Sequence, residues 1–171
     1  MATKVKDPKR QKQGALSKEK GKQFEARLDE AFAYYRQRGF AGIEKTPEPM
    51  HPTQNLGNGK FIAFFAKKAQ PDYEGTIKGG RTVMFEAKFT STDRLAQSRV
   101  LQVQADYLEF RQQLGAHCFV VVGFSSGNVY RIPWPIWREM KENFGRKYVT
   151  EAELDKYRVP TAQNGVLLIL D

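Results

Sequence analysis

Two short segments decide the fold: Pro71-Asp72-Tyr73-Glu74-Gly75 and Val83-Met84-Phe85-Glu86-Ala87-Lys88 read as strands on either side of a turn. Side chains alternate along a strand, so Glu86 and Lys88 share one face and Ala87 takes the other. If the two segments pair as a hairpin, Asp72 approaches Glu86. Two carboxylates beside an ammonium suit a divalent cation and the charged transition state of phosphodiester cleavage. An exposed hairpin edge with a surface salt bridge would show the same spacing.

Positive charge is concentrated at the start of the chain. The 171 residues carry a formal net charge of +9. Residues 1–22 contain eight Lys or Arg and two acidic residues, so this segment has a net charge of +6 and the rest of the chain has a net charge of +3. We expect residues 1–16 to form a disordered basic arm, followed by a single domain over residues 17–171. Basic arms bind polyanions by releasing counterions, so nucleic acid is the first candidate partner, and a solubilising tail is the alternative.

Cysteine and histidine usage excludes several kinds of site. Cys118 is the only cysteine, so an internal disulfide and a thiolate cluster are both excluded. His51 and His117 have no second nitrogen or sulfur ligand nearby in sequence, and a zinc site is not expected. No apolar run is long enough to span a bilayer, and no signal-peptide pattern opens the chain. We therefore expect a cytoplasmic protein without membrane contact.

The order of predicted elements defines the fold class. The spacing of Phe24, Leu28, Phe32 and Tyr35 predicts a helix from Ser17 to about residue 38. We further predict strands at 40–46, 61–67, 72–77, 82–89, 117–124, 129–132 and 165–170, helices at 98–114 and 133–143, and a turn-rich insertion at 47–60. Residues 117–124 are continuously apolar, which is typical of a strand buried on both faces. The fold class is therefore α/β, with a central mixed β-sheet flanked by helices.

Two polar residues on the predicted helices allow both a functional and a structural interpretation. Glu25 neighbours Phe24 at the edge of the apolar stripe, where a carboxylate faces either a cleft or solvent. Gln104 lies early in the helix predicted over 98–114. Glutamine is a good helix former, so a surface position explains Gln104 equally well.

The hairpin segments carry a motif of known type. Pro71-Asp72 and Glu86-Ala87-Lys88 form a literal P-D…E-x-K pattern with thirteen residues between the two acids. The pattern resembles the core of the PD-(D/E)XK nuclease superfamily. Further segments resemble RecU-type Holliday-junction resolvases in the same order and at similar spacing. These segments are Gly21 to Glu25, Lys45-Thr46-Pro47, Asp72-Tyr73-x-Gly75, Phe85 to Lys88, Gln104 and Cys118-Phe119-Val120-Val121.

This resemblance implies a homodimeric, Mg²⁺-dependent endonuclease that resolves four-way DNA junctions by paired nicks, with Mn²⁺ as an alternative metal. It implies that Asp72 and Glu86 hold the metal, that Gln104 completes the metal environment, and that Gln70 takes the contributing position two residues before the motif aspartate. Lys88 would stabilise charge at the phosphate, and Glu25 would support the site from the first helix. The implied fold is restriction-endonuclease-like, with a projecting stalk that maps to about residues 44–66.

DNA contacts and alternative functions complete the sequence-based expectations. We predict DNA contacts from Lys9, Arg10 and Lys12 in the arm and from Lys60 in the insertion, with a recombinase as a further partner. One alternative is another PD-(D/E)XK nuclease that acts on duplex or branched DNA. The other is a non-catalytic DNA-binding protein that assists recombination. The insertion distinguishes a junction resolvase from the first alternative, because a resolvase needs an element that projects into the junction. Cleavage activity distinguishes it from the second alternative.

Overall fold

The computed structural model describes residues 8–47, 49–65 and 70–171, with side chains from residue 14 onward except at Phe65. The helices are α1 (Pro8–Gln37), α2 (Gln102–Gln113), α3 (Trp134–Arg138) and α4 (Met140–Phe144), with 3₁₀ helices at Gln97–Arg99 and Glu151–Tyr157. The strands are β1 (Ala41–Lys45), β2 (Met50–Gly57), β3 (Lys60–Phe65), β4 (Tyr73–Ile77), β5 (Thr82–Thr90), β6 (Arg94–Ala96), β7 (His117–Phe124), β8 (Val129–Pro133) and β9 (Tyr148–Thr150). Within these ranges, no helix combines the length and apolar character needed to cross a bilayer.

A five-stranded sheet forms the centre of the domain, in the order β1-β4-β5-β7-β8. Strands β5 and β7 are parallel, and the other neighbouring pairs are antiparallel. The buried stripe of α1 packs on one face together with Phe85 and Phe119. Leu108 of α2 and Trp134 and Trp137 of α3 belong to the core of the other face. The α/β class with a central mixed sheet flanked by helices is therefore confirmed.

Strands β4 and β5 pair as an antiparallel hairpin, the arrangement on which the approach of Asp72 to Glu86 depends. Tyr73 pairs with Phe85 and Thr76 with Thr82, so the same register carries Asp72 opposite Glu86. The aromatic rings of Tyr73, Phe85 and Phe119 stack in series across β4, β5 and β7. Because this aromatic layer faces α1, the alternate residues Glu86 and Lys88 face the side that carries α2.

The start of the first helix differs from the sequence prediction. Helix α1 begins at Pro8 rather than at Ser17, so residues 8–16 are helical and not a disordered arm; residues 1–7 lie outside the described part of the chain. Proline is favoured at the first helical position, and the Lys, Arg, Gln, Ala and Leu residues that follow are good helix formers. The sequence prediction gave too much weight to the polarity of this segment and to Ser17 as a helix cap.

The insertion is more regular than predicted. Residues 50–57 were expected to be turns, but they form strand β2, which pairs with β3 in a separate two-stranded sheet. Asn58 and Gly59 have positive φ angles of 52° and 74°, which is the geometry of a tight type I′ turn. The register shifts between Pro52 and Gln54, and such an irregularity accommodates a proline in a strand.

Three other predicted elements are corrected. The helix predicted over 98–114 begins at Gln102, after strand β6 and a 3₁₀ helix. The helix predicted over 133–143 is two short helices that share Glu139 as the boundary residue. The last predicted strand, 165–170, is irregular and makes only an isolated bridge between Thr161 and Leu167. Leu167 and Ile169 are nevertheless buried. The apolar pattern therefore identified core residues correctly, although these residues do not form a strand.

Candidate active site

The motif residues meet at the end of the β4–β5 hairpin. Lys88 Nζ donates to Glu86 Oε2 at 2.5 Å and to Asp72 Oδ2 at 3.2 Å. Two oxygens that share one donor cannot be further apart than the sum of these two distances, which is below the limit of about 8 Å for carboxylates that share one cation. The hairpin therefore places both acids and the lysine in one cluster rather than on an exposed edge.

Glu86 is completely buried, and Lys88 and Asp72 are mostly buried, with side-chain exposures of 13% and 24%. Burial raises the pKa of Glu86 to about 8, and the attraction of Lys88 only partly opposes this increase. For Lys88, burial lowers the pKa, but the charges of Glu86 and Asp72 outweigh burial and raise it above its ordinary value. The cluster therefore holds a protonated lysine beside a carboxyl group that needs more positive charge to stay ionised.

Backbone hydrogen bonds fix the position of Asp72. Its Oδ2 accepts from the amide of Ala87 at 3.0 Å, and its carbonyl oxygen accepts from the amide of Thr46 at 2.9 Å. These two contacts tie Asp72 to β5 on one side and to the end of β1 on the other. Asp72 is thus held at the junction of three adjacent strands.

Gln104 connects α2 to the cluster. Its Nε2 donates to Glu86 Oε2 at 2.9 Å, and its Oε1 accepts from the amide of Leu101 at 3.0 Å. Gln104 is itself buried, with 7% exposure. Both polar atoms of the side chain are thus engaged, so Gln104 orients Glu86 and closes the first turn of α2. Its direct binding of metal stays a prediction.

Gln104→Ala is expected to weaken catalysis through Glu86. Loss of a partner that orients a metal ligand typically costs about 10–100-fold in metal affinity or activity. We expect single-turnover cleavage by the variant to need about ten-fold more Mg²⁺ for half-maximal rate. Gln102→Ala is the matched control, because Gln102 is exposed and bonds only to Asp106 in the described part of the chain. Equal Mg²⁺ requirements for the two variants would contradict the positioning role of Gln104.

The structure places the other predicted residues at different distances from the cluster. Glu25 is paired with Lys45 at 2.5 Å and is about half exposed, beside the site rather than in contact with Lys88. Gln70 is exposed, and within the described residues no hydrogen bond joins it to Asp72 or Glu86. Lys60 is exposed at the tip of the β2–β3 hairpin. The side chains of Lys9, Arg10 and Lys12 lie outside the described part, although their backbone belongs to α1. The roles proposed for these residues stay predictions.

Sequence reasoning missed Lys45 as a residue of the site. The charge of Asp72 contributes to the raised pKa of Lys45, whose main cause is the hydrogen bond with Glu25. Lys45 ends β1, the strand next to β4, and it pairs in register with Tyr73. The available signal was the Lys45-Thr46-Pro47 segment, which contributed to the family resemblance but was given no role at the site.

The cluster fits a divalent cation. Glu86 Oε1 is buried and has no hydrogen-bond partner in the described ranges. A buried carboxylate oxygen without a partner is costly, and a cation would satisfy it. The described residues contain no group of three or more His, Cys, Asp or Glu arranged to hold a metal. Two carboxylates with water and other oxygen ligands are the donor set that Mg²⁺ commonly uses in proteins.

Fold and site together define a domain of the PD-(D/E)XK type, in which Asp72, Glu86 and Lys88 meet at one end of a mixed sheet. A family model described as recombination protein U (RecU) matches residues 19–170. The chain therefore belongs to the RecU family.

Two sequence relatives agree with this assignment. The chain is 32% identical over 146 residues to Holliday junction resolvase RecU of Bacillus pumilus, covering 79% of this chain and 69% of the relative. It is 28% identical over 142 residues to RecU of Pediococcus pentosaceus, covering 76% and 69% of the two chains. A solved structure, Archaeoglobus fulgidus Hjc, a Holliday junction resolvase, is 15% identical with a TM-score of 0.49, covering 85% of this chain and 95% of the other.

Proposed function

We propose that this protein is a divalent-metal-dependent endonuclease that resolves four-way DNA junctions, with Mg²⁺ as its metal. The observation that carries the proposal is the meeting of Asp72, Glu86 and Lys88 in a chain of the RecU family. The relatives named above are Holliday junction resolvases, which supports junction DNA as the substrate. A cytoplasmic location and a recombinase partner stay predictions.

Each residue of the cluster has a defined part in this chemistry. Asp72 and Glu86 would hold the divalent cation, which supplies a Lewis acid and a bound water of lowered pKa. Lys88 Nζ, between the two acids, would donate to a phosphate oxygen as negative charge develops on it. The amides of Ala87 and Thr46 keep Asp72 in place, and Gln104 keeps Glu86 in place. No histidine is needed for these steps.

The β2–β3 hairpin supports a branched substrate. It follows β1 directly, and every residue of β2 is exposed. Phe61 and Phe64 are more than half exposed, and base stacking on exposed aromatic rings is a common way to hold unpaired nucleotides. A groove of about 450 Å³ opens beside the hairpin of β4 and β5, and both cationic (Arg36, Lys45, Arg111) and acidic (Glu44, Glu74) side chains line it. Arg36 and Lys45 are paired with Glu44 and Glu25.

Replacing residues 50–65 with a short Gly-Ser linker is expected to remove selectivity for junctions. Loss of one base-stacking contact costs about 1–3 kcal/mol, so preference for a four-way junction over linear duplex should fall about ten-fold or more. The measurement is competitive binding without divalent metal, followed by nicking of linear duplex with Mg²⁺ to show that the catalytic cluster is intact. Full junction selectivity in the variant would favour the alternative nuclease of duplex or branched DNA.

Helix α2 supports a homodimer. Val103, Tyr107, Phe110 and Leu114 follow one another at intervals of four, three and four residues, the spacing of a helix–helix seam. Phe110 and Leu114 are 58% and 66% exposed. Val103 and Tyr107 are half-buried beside them. Large exposed apolar side chains close together are typical of an interface. A two-fold dimer would supply the two active sites that paired nicks require.

Phe110→Asp combined with Leu114→Asp is expected to yield a folded monomer. The two side chains are exposed in the single chain, so the substitutions should alter association rather than the core. Sedimentation velocity at micromolar concentration should show a dimer for the wild type and a monomer for the double variant. Leu16→Asp is the control, since Leu16 is 58% exposed on α1. A monomeric wild type would contradict the dimer.

A further inference from the structure

Helix α1 extends beyond the end of the sheet that carries the active site. Phe32 contacts Phe85 with ring centroids 5.5 Å apart, and Phe24 contacts Phe89 at 6.2 Å. Helix α1 and strand β5 therefore run in opposite directions. Lys88 lies next to Phe89 near the end of β5. The part of α1 before Phe24 thus continues past the edge at which the catalytic cluster lies.

Residues 14–23 of α1 contribute no buried side chain to the core of the domain. From residue 14 to residue 23, every residue is exposed or only half-buried, and Phe24 is the first buried residue of the helix. Residues 8–23 would span about 24 Å at 1.5 Å per helical residue. The helix here is held by its own hydrogen bonds and by continuity with the packed half, and no core contact explains its length.

The same segment is strongly cationic. Residues 8–23 contain six Lys or Arg and one acidic residue, Glu19. Lys18 and Lys22 are exposed and Lys20 is half-buried. In the described part of the chain, none of these three lysines forms a salt bridge. The β2–β3 hairpin leaves the sheet near the same edge, because β1 ends at Lys45 beside Asp72. The cationic part of α1 and the aromatic hairpin therefore both leave the domain near the edge that carries the active site.

We propose that residues 8–23 form a helical arm that binds the phosphate backbone of the duplex arm leading into the active site. The inference rests on the proposed function and identifies one part of the DNA interface. Lysines on a preformed helix lose less conformational entropy on binding than lysines on a disordered tail. Phosphate contacts position the duplex without reading its sequence, which fits an enzyme that recognises branched shape. The contacts come from side chains along the helix, not from its terminal amides.

The test combines Lys18→Gln, Lys20→Gln and Lys22→Gln in the full chain. Binding to a synthetic four-way junction is measured in EDTA at several salt concentrations, so that cleavage plays no part. Each lost phosphate contact reduces the slope of log K against log salt by about 0.9, so the slope should decrease by about 2–3. Affinity near 100 mM salt should fall about ten-fold or more. The matched control is Arg38→Gln, Lys78→Gln and Arg81→Gln, which removes the same charge from exposed positions at the opposite end of the sheet.

A second pair of variants tests the helical form of the arm. Ser17→Pro keeps every charge but interrupts the helix, because proline removes a hydrogen bond and clashes with the preceding turn. Ser17→Ala is its control. We expect several-fold weaker binding for Ser17→Pro and unchanged binding for Ser17→Ala. Equal affinity and slope for the triple variant and its control would overturn the arm as a DNA site, and wild-type affinity for Ser17→Pro would overturn its helical form. A wild type that binds no junction would overturn the proposed function itself.

Discussion

Glu86→Gln should abolish junction cleavage while the domain stays folded. Glu86 is the buried acid of the cluster, and one of its oxygens has no partner in the described ranges. Removing its charge removes a proposed metal ligand, worth several kcal/mol of transition-state stabilisation. Because about 1.4 kcal/mol corresponds to ten-fold in rate, we expect a loss on the order of 10³-fold or more in single-turnover cleavage. Glu74→Gln on the same hairpin is the matched control.

Although Glu86→Gln should abolish cleavage, it should increase the thermal stability of the protein in the absence of metal. The pKa of Glu86 is about 8 in the folded protein because of burial, well above the ordinary value of 4.5. The folded state therefore binds an extra proton between these pH values, and stability without metal falls as pH rises from about 4.5 to about 8. Glu86→Gln removes this dependence. In EDTA, the melting temperature of the variant should exceed that of the wild type increasingly over this range. A difference independent of pH would contradict the buried, proton-binding state of Glu86.

Lys88→Met should also strongly reduce cleavage, but unlike Glu86→Gln it should make the protein less stable in the absence of metal. The ammonium contacts both Asp72 and Glu86, and its loss removes a preorganised donor worth about 3–4 kcal/mol, or about 10²–10³-fold in rate. Leaving Asp72 and Glu86 without their cation should also destabilise the protein in EDTA, most of all above about pH 8, where Glu86 is ionised in the wild type. Added Mg²⁺ should restore much of this stability, since a cation at the carboxylates replaces the lost charge, while cleavage stays low.

The control for this variant is Lys78→Met, an exposed lysine in the turn between β4 and β5. It should leave both the rate and the Mg²⁺-dependent stability close to those of the wild type. Urea unfolding with and without Mg²⁺, combined with single-turnover cleavage, separates the two effects. Cleavage by Lys88→Met at more than about one tenth of the wild-type rate would contradict the role of Lys88 at the phosphate.

The sequence predicted the central sheet and the catalytic hairpin because both depend on local patterns. Strand β7 was predicted from a continuous apolar run, and strands β4 and β5 were predicted from two short segments on either side of a turn. Alternation along β5 then places Glu86 and Lys88 on one face. Family resemblance pointed to Gln104, but not to its contacts. Its two hydrogen bonds depend on how α2 packs over β5, which no local pattern encodes.

The sequence predictions were wrong where the polarity or apolar content of a segment did not determine its secondary structure, and they missed contacts between residues distant in sequence. The charged first part of α1 was taken for disorder, although its residues favour helix and continue the packed half. The proline-rich insertion hid the Asn58-Gly59 turn, which is a strong hairpin signal. Residues 165–170 have the apolar content of a strand, but they bury Leu167 and Ile169 in irregular structure. The Glu25–Lys45 pair joins two elements distant in sequence, so spacing alone could not reveal it.

Asp72, Glu86 and Lys88 form the proposed catalytic site of a junction resolvase. The most direct measurement is cleavage of a synthetic four-way junction by the full chain with Mg²⁺, mapped on all four strands, with Glu86→Gln as the inactive control. We predict paired nicks on two opposite strands, dependent on Mg²⁺ and absent in the variant. Junction binding without Mg²⁺-dependent nicks by the wild type, or equal cleavage by wild type and Glu86→Gln, would contradict the account.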